Sequence, residues 1–219
     1  MRIGFARAKV ERVVDEAGRT KVVAVLRATY LEEKRWVSDP ASQAPAEDLQ
    51  QRGISWFVAT VKGRPAGVVR VLYDPPLVQY AKYGLKPIDS TLKVEDFIRD
   101  NRIAEIGRFA VVPEFRAHFM VAASLIRAAA GETVRRGYTH FVTDVFEDDK
   151  HSPLGFHIRV MGFRPVATHD TGELRCASRR ITLVLDLKAA YLRLKTRKSW
   201  LFRFLTWKWD AALHHRMAL

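Results

Sequence analysis

Apolar and polar positions change period several times along this chain. Over "KVVAVLRATYLEEKRW", Val22, Val25, Leu26, Thr29 and Tyr30 fall on one face at helical spacing. Ahead of that helix, "IGFARAKVERVV" has strand character and ends at the turn "DEAGRT". "VSDPASQAPAEDLQQRG" reads as loop or short helix. "ISWFVATVKGRPAGVVRVLYDPP" sets branched and aromatic runs on either side of "KGRP", which predicts a β-hairpin. Residues 75–100 form a long connection with a helix near "KVEDFIRD". A strand "IAEIGRFAVV", an alanine-rich helix "RAHFMVAASLIRAAAGETVRRG", a strand "YTHFVTDVF", a short helix "HSPLGFHIRVMGF" with a glycine stop and a last strand "RRITLVLDL" follow. This order predicts a mixed α/β fold with one antiparallel half and one βαβ half.

From Lys188 the pattern changes. The segment from Lys188 to Lys208 has seven Lys or Arg and no Asp or Glu, and residues 188–219 hold three of the five Trp. The expected organisation is a core domain over residues 1–187 and a basic, aromatic, helical tail over 188–219. The tail has three readings: an anionic membrane surface, a protein partner, or a helix pair folded back on the core.

Composition narrows the partners. The net charge is +13, which favours nucleic acid, anionic lipid or an acidic protein; no nucleic-acid recognition motif accompanies it, so none is expected. The single Cys176 excludes an internal disulfide and a cysteine-rich metal site and suits a reducing compartment. "EDDKH" at 147–151 reads as a solvated acidic loop, and no metal is expected. No run of about 18 uncharged apolar residues is present for a membrane span, and no secretory signal is visible.

The stretch "EIGRFAVVPEFRAHFM" carries the chemistry. Strand, turn and helix start is the geometry that grips an anion with backbone N–H groups. Such turns use glycine so that the backbone can approach a phosphate. Here Arg116, Ala117, His118, Phe119 and Met120 occupy it.

With these elements in order, the chain resembles the GNAT acyltransferase superfamily over roughly residues 20–187. "IAEIGRFAVVPEFR" takes the place of the central strand and donor turn, and Phe156, His157, Gly162 and Phe163 take that of a Phe-Tyr-x-x-x-Gly-Phe stretch. A narrower resemblance is to the N-acyl amino acid synthases and acyl-homoserine lactone synthases. They share an Arg in the first helix, a Trp after it, a Gly-x-x-Arg strand and a Glu-x-Ser-Arg-Phe central strand. Arg27, Trp36, Gly67 to Arg70, and Glu105, Gly107, Arg108 and Phe109 match these, with Gly107 replacing the Ser and Asp39 or Asp48 standing for an acidic residue after the Trp.

The resemblance implies a GNAT-like mixed sheet with flanking helices and a helical C-terminal appendage. It implies an N-acyltransferase without a permanent cofactor, whose cosubstrate is acyl-phosphopantetheine on acyl carrier protein, or acyl-CoA, and whose acceptor is a small-molecule amine. It implies a cytoplasmic protein, with the tail a route to the inner membrane face. An acetyl-CoA-dependent N-acetyltransferase and a non-catalytic acyl- or membrane-binding protein are the other readings.

Each residue also has a bland reading. Glu105, a carboxylate in an apolar strand, is a general base for the amine or a structural ion-pair partner. His157 stands where a Tyr protonates the leaving thiolate, or is a helix-surface histidine. Arg27 and Arg70 hold a substrate carboxylate or are exposed charges, Arg108 is a further substrate-binding candidate, and Trp36 lines an acyl pocket or is core. Glu105 and Arg108 fall on opposite faces of a regular strand, so sharing a pocket requires a bulge, expected at Gly107. Phe109, Val111, Arg116 and Phe119 contact the donor: strand amides near Phe109 to Val112 would hold the carbonyl oxygen. Arg116 would meet the phosphate, while Phe119 and Val121 crowd out a diphosphate but not a pantetheine arm.

Overall fold

Asp15 decides where the first helix starts. Its backbone is extended (φ −144°) and its carboxylate accepts the Gly18 N–H at 2.7 Å, capping α1 (Glu16–Leu26). The residues expected as a turn, "DEAGRT", are therefore this cap and the first helical turn. Past Leu26 the helix widens into a π-helical segment, Arg27–Glu33, closed by Lys34 N–H to the Thr29 carbonyl at 3.0 Å and Trp36 N–H to the Tyr30 carbonyl at 2.8 Å. Short 3₁₀ turns at Ala41–Gln43 and Ala46–Gln50 follow.

The computed structural model describes residues 8–77, 82–88, 90–91, 93–149 and 152–218. The strand character of Ile3 to Arg7, and Lys150 and His151 of the acidic loop, lie outside the described residues. The chain divides into two compact units. The first takes the residues up to Leu72 together with Gly107–Glu132; the second takes Tyr73–Ile106 and the chain from Thr133 onward.

In the first unit, β1 (Lys9–Arg12) pairs antiparallel with β2 (Ile54–Val61), and β2 with β3 (Arg64–Tyr73). The hairpin turn is Lys62–Gly63, both left-handed (φ 50° and 79°), the backbone that a two-residue turn between twisted strands requires. The later half of β5 (Ile103–Val111) follows β3, and the Val112 N–H donates to the Ala66 carbonyl at 3.0 Å. After a 3₁₀ turn at Pro113–Phe115, α3 (Phe119–Arg135) packs Val121 and Leu125 toward Gly67.

In the second unit, β5 pairs parallel with β6 (His140–Phe146) from Ile103↔His140 to Glu105↔Val142. β6 then pairs antiparallel with β8 (Arg180–Asp186), β8 with β7 (Arg164–His169), and β7 with the two-residue β4 (Lys86–Pro87). Neither β4 nor β7 was expected from the sequence. β7 carries Pro165 at a register shift against β8, which breaks the alternation that marks a strand. The expected βαβ connection is present as β5, α3 and β6 with the two strands parallel, and antiparallel strands follow it. The helix near "KVEDFIRD" is α2 (Val94–Asp100). The predicted short helix is a π-helical segment, Phe156–Met161, stopped by Gly162 at φ 87°.

Between α2, the connection before it and the sheet lies an apolar cleft of about 530 Å³ including its open mouth. Leu77, Leu85, Phe97, Val142, Val166 and Val184 line it.

The C-terminal residues form α4 (Leu187–Thr196), α5 (Trp200–Leu205) and α6 (Ala211–Ala218), capped by Asp186 and Ser199 at the first two. They pack around Tyr191, which stacks on Trp209 at 6.0 Å and shares a 2.9 Å hydrogen bond with His214 Nδ1. Arg216 donates to the Val134 carbonyl at 2.9 Å.

Candidate active site

In the first unit the π-helical segment, β3 and β5 place Tyr30 near two guanidiniums. Burial raises the Tyr30 pKa above its usual value, and the positive charges of Arg108 and Arg70 work against that rise. Trp36 meets Tyr30 edge-on at 5.4 Å. Four residues from three stretches of sequence are thus linked: Tyr30 and Trp36 from one, Arg70 and Arg108 from the other two. Three of them, Trp36, Arg70 and Arg108, were expected; Tyr30 was read only as part of the core face.

Arg108 itself is left-handed (φ 51°), an uncommon conformation for a side chain of this size. The expected bulge lay at Gly107; the backbone irregularity observed is this left-handed Arg108, and backbone strain of this kind clusters at functional sites. Arg27 is exposed, as its bland reading held. Asp48, 6% exposed, accepts the Trp56 indole N–H at 2.8 Å, while Asp39 is exposed and caps the Ala41 amide at 2.9 Å. Of the two acids, Asp48 is the buried one.

The donor turn differs from expectation in three respects. Arg116 was expected to meet a phosphate. Its Nη1 and Nη2 instead grip Glu33 at 2.7 and 2.5 Å, and its Nε donates to the Val111 carbonyl at 3.1 Å. The backbone N–H groups of Phe115, Arg116, His118 and Val121 each donate three residues back, at 2.9, 3.3, 2.9 and 2.9 Å. These four amides are spent within the turn. Val121 is fully buried against the Gly67 position rather than crowding the turn, whereas Phe119 is 42% exposed. Phe109 and Val111 are half-buried on β5. Of the strand amides expected to hold a carbonyl oxygen, that of Val112 is taken by Ala66.

Glu105 and His157 belong to the second unit. Glu105 is 8% exposed, beside Val142 in the parallel register. His157 is 3% exposed, not on a helix surface. Its Nδ1 must donate to the Pro153 carbonyl at 2.9 Å, since a carbonyl only accepts, and Phe163 lies edge-on to the ring at 4.8 Å. Burial lowers its pKa, against the rise that the Pro153 bond would cause. The imidazolium acid expected from the sequence is therefore not its state here: the ring is neutral near pH 7 and its Nδ1 proton is committed.

A histidine that the sequence did not single out behaves oppositely. His169, 1% exposed, has both ring nitrogens facing acceptors: Nε2 the Asp144 carboxylate at 3.0 Å, Nδ1 the Thr171 carbonyl at 2.7 Å. Thr182 donates to the other Asp144 oxygen at 2.7 Å, and Tyr83 stacks on the ring at 5.8 Å. Burial disfavours the charged ring, but Asp144 and the Thr171 carbonyl outweigh it and raise the pKa, with Arg180 opposing. A raised folded-state pKa gives stability that is complete below the unfolded value near 6.5 and is lost as pH rises through the folded value. His157 contributes the reverse, costing stability as pH falls below about 6.5. Urea melts across this range should show Asp144→Asn destabilised by about 1.5–3 kcal/mol at pH 6 and by less at higher pH. An Asp144→Asn deficit that does not change with pH would remove His169 from the account.

No protein-family model matches this sequence, and no curated protein is similar to it. Solved structures are. FeeM, an N-acyl amino acid synthase from uncultured soil microbes, aligns over 91% of this chain and 98% of its own at 16% identity, with a TM-score of 0.66. Aminoglycoside 6'-acetyltransferase type Ii aligns over 82% and 97% at 13% identity and a TM-score of 0.56. The NatC complex bound to Gag peptide and CoA aligns over 81% and 98% at 12% identity and a TM-score of 0.53. The fold is that of the GNAT acyltransferases.

Proposed function

We propose that this chain is an N-acyltransferase that moves an acyl group from a phosphopantetheine thioester to the amine of an amino acid or related metabolite. The observation that carries the acceptor side is that two guanidiniums, Arg70 and Arg108, act electrostatically on the buried Tyr30 phenol, which Trp36 meets edge-on at 5.4 Å. A guanidinium presents paired donors that match a carboxylate, and an aromatic wall beside it suits the body of an amino acid. The likeness to FeeM supports the same reading, as the fold of a protein with that activity.

The amine nitrogen attacks the thioester carbonyl, the carbon–sulfur bond breaks, and amide and thiol result. Glu105 takes the proton that the attacking ammonium must lose. The departing thiolate takes one from solvent, because the Nδ1 proton of His157 is held by Pro153; His157 positions the π-helical segment. Attack is direct, with no acyl-enzyme.

Acyl carrier protein is the favoured donor. A nucleotide diphosphate needs a ring of amides, and this turn spends those of Phe115, Arg116, His118 and Val121 on itself. A carrier presents a single phosphate and an acidic surface that a chain of charge +13 attracts. Parallel assays with acyl-carrier and acyl-CoA thioesters of one chain length test this. A kcat/KM at least about 10-fold higher for the carrier is expected, the size of one well-placed charged contact. Equal or better use of acyl-CoA or acetyl-CoA would favour the ordinary acetyltransferase reading, in keeping with the CoA bound in the NatC complex.

A further inference from the structure

The C-terminal helices carry an outward face that acyl transfer does not use. Along α5, Leu201 and Leu205 are 3% and 7% exposed and face inward. Trp200, Arg203 and Phe204 recur at the spacing of one helical face on the other side, and Trp207 follows in the turn after the helix. Trp200 and Trp207 are 52% and 71% exposed, among the largest apolar surfaces that the described residues present to water. Phe204 lies 6.2 Å from the Trp200 ring. Exposed cations border this stripe at both ends: Lys195, Arg197 and Lys198 before it, Lys208 after it. The first acid beyond Lys208 is Asp210.

We propose that this face docks on an anionic lipid bilayer. Indole rings favour the headgroup boundary, where an apolar body and a polar N–H are both accommodated, and Lys and Arg beside them meet lipid phosphates. A second copy of the chain is disfavoured by like charge, each carrying +13. An acidic protein or a nucleic acid satisfies the cations but offers the two indoles no continuous apolar surface. No helix among the described residues is long and apolar enough to cross a membrane, so the contact is with the surface. This proposal stands apart from the identity of the acyl donor and acceptor.

The test is sedimentation of the full chain with vesicles of phosphatidylcholine alone or of phosphatidylcholine mixed with phosphatidylglycerol. The expected result is partitioning onto the mixed vesicles at least about 10-fold stronger than onto the neutral ones, weakened by salt. Trp200→Ala with Trp207→Ala should reduce the mixed-vesicle partitioning by about 10-fold, since two interfacial indoles are removed. Arg203→Gln with Lys208→Gln should reduce the preference for anionic lipid. All four side chains are exposed or at the rim, and circular dichroism melts close to the parent's confirm that folding is intact. Equal partitioning onto both vesicles, no partitioning, or folded variants that bind as the parent does would overturn the proposal. So would variants that lose acyl carrier protein binding or change oligomeric state while keeping their lipid affinity.

Discussion

If Glu105 is the general base proposed above, Glu105→Gln should lower the rate constant for acyl transfer by about 10²–10⁴-fold, the range that a positioned general base contributes. The substitution keeps the size of the side chain and removes its ability to take a proton. At neutral pH the acceptor amine is an ammonium ion and cannot attack until that proton leaves. Glu105 lies at 8% exposure in the interior of β5, where a carboxylate needs a partner. Single-turnover kinetics with a bound thioester isolate the step, and binding of the donor should be unchanged. Raising the pH should recover part of the lost rate, because solvent then deprotonates the amine. A purely structural role predicts the opposite: a lower melting temperature with the chemical step intact. An unaltered rate constant in a folded Glu105→Gln protein removes the residue from the mechanism.

Gly67→Ala destabilises the fold by about 1–3 kcal/mol, the usual cost of forcing one carbon into a packed site. A Cβ there would stand 2.9 Å from the Ala110 carbonyl oxygen and 3.1 Å from both Leu125 Cδ1 and Val121 Cγ1. The oxygen is backbone, so relief requires β5 or β3 to shift, and both side chains belong to the buried face of α3. Valine at the same position should cost more. Because Arg70 lies three residues further along β3 and Arg108 two residues before Ala110, the shift also disturbs the guanidinium pair. KM for the amine should therefore rise together with the loss of stability. Urea denaturation gives the first quantity and steady-state kinetics the second. A Gly67→Ala protein as stable as its parent would show that the strands relax freely and that the glycine of the Gly-x-x-Arg stretch has another purpose.

Much of the architecture was legible in local patterns. The hairpin around Lys62–Gly63, the strands β5, β6 and β8, and helices α2 and α3 each announce themselves within a window of about ten residues through period and turn chemistry. β7 did not, because Pro165 interrupts its alternation and its pairing partners in β8 lie beyond a ten-residue connection. The start of α1 was misread because an Asp that caps a helix and an Asp that begins a turn look alike until its side chain finds the Gly18 amide.

The site was legible in its parts but not in its assembly. Arg70, Arg108 and Trp36 stood out from a shared pattern. Tyr30 gained its place only through its neighbours, and His169 only through Asp144. His157 and Arg116 show the limit most plainly: one is a neutral buried ring and the other is tied to Glu33, 83 residues away in sequence. By itself the sequence determined the positive charge, the two apolar runs and turn of the hairpin, the presence of helix α3 and the identity of the groups available for chemistry. These depend on side-chain type and on spacings shorter than one helix. The tertiary structure alone decided which carbonyl meets which amide, which guanidiniums act on a buried phenol, and which histidine faces two acceptors. Hydrogen bonds and electrostatic energies depend on distances between groups that only the folded chain brings together.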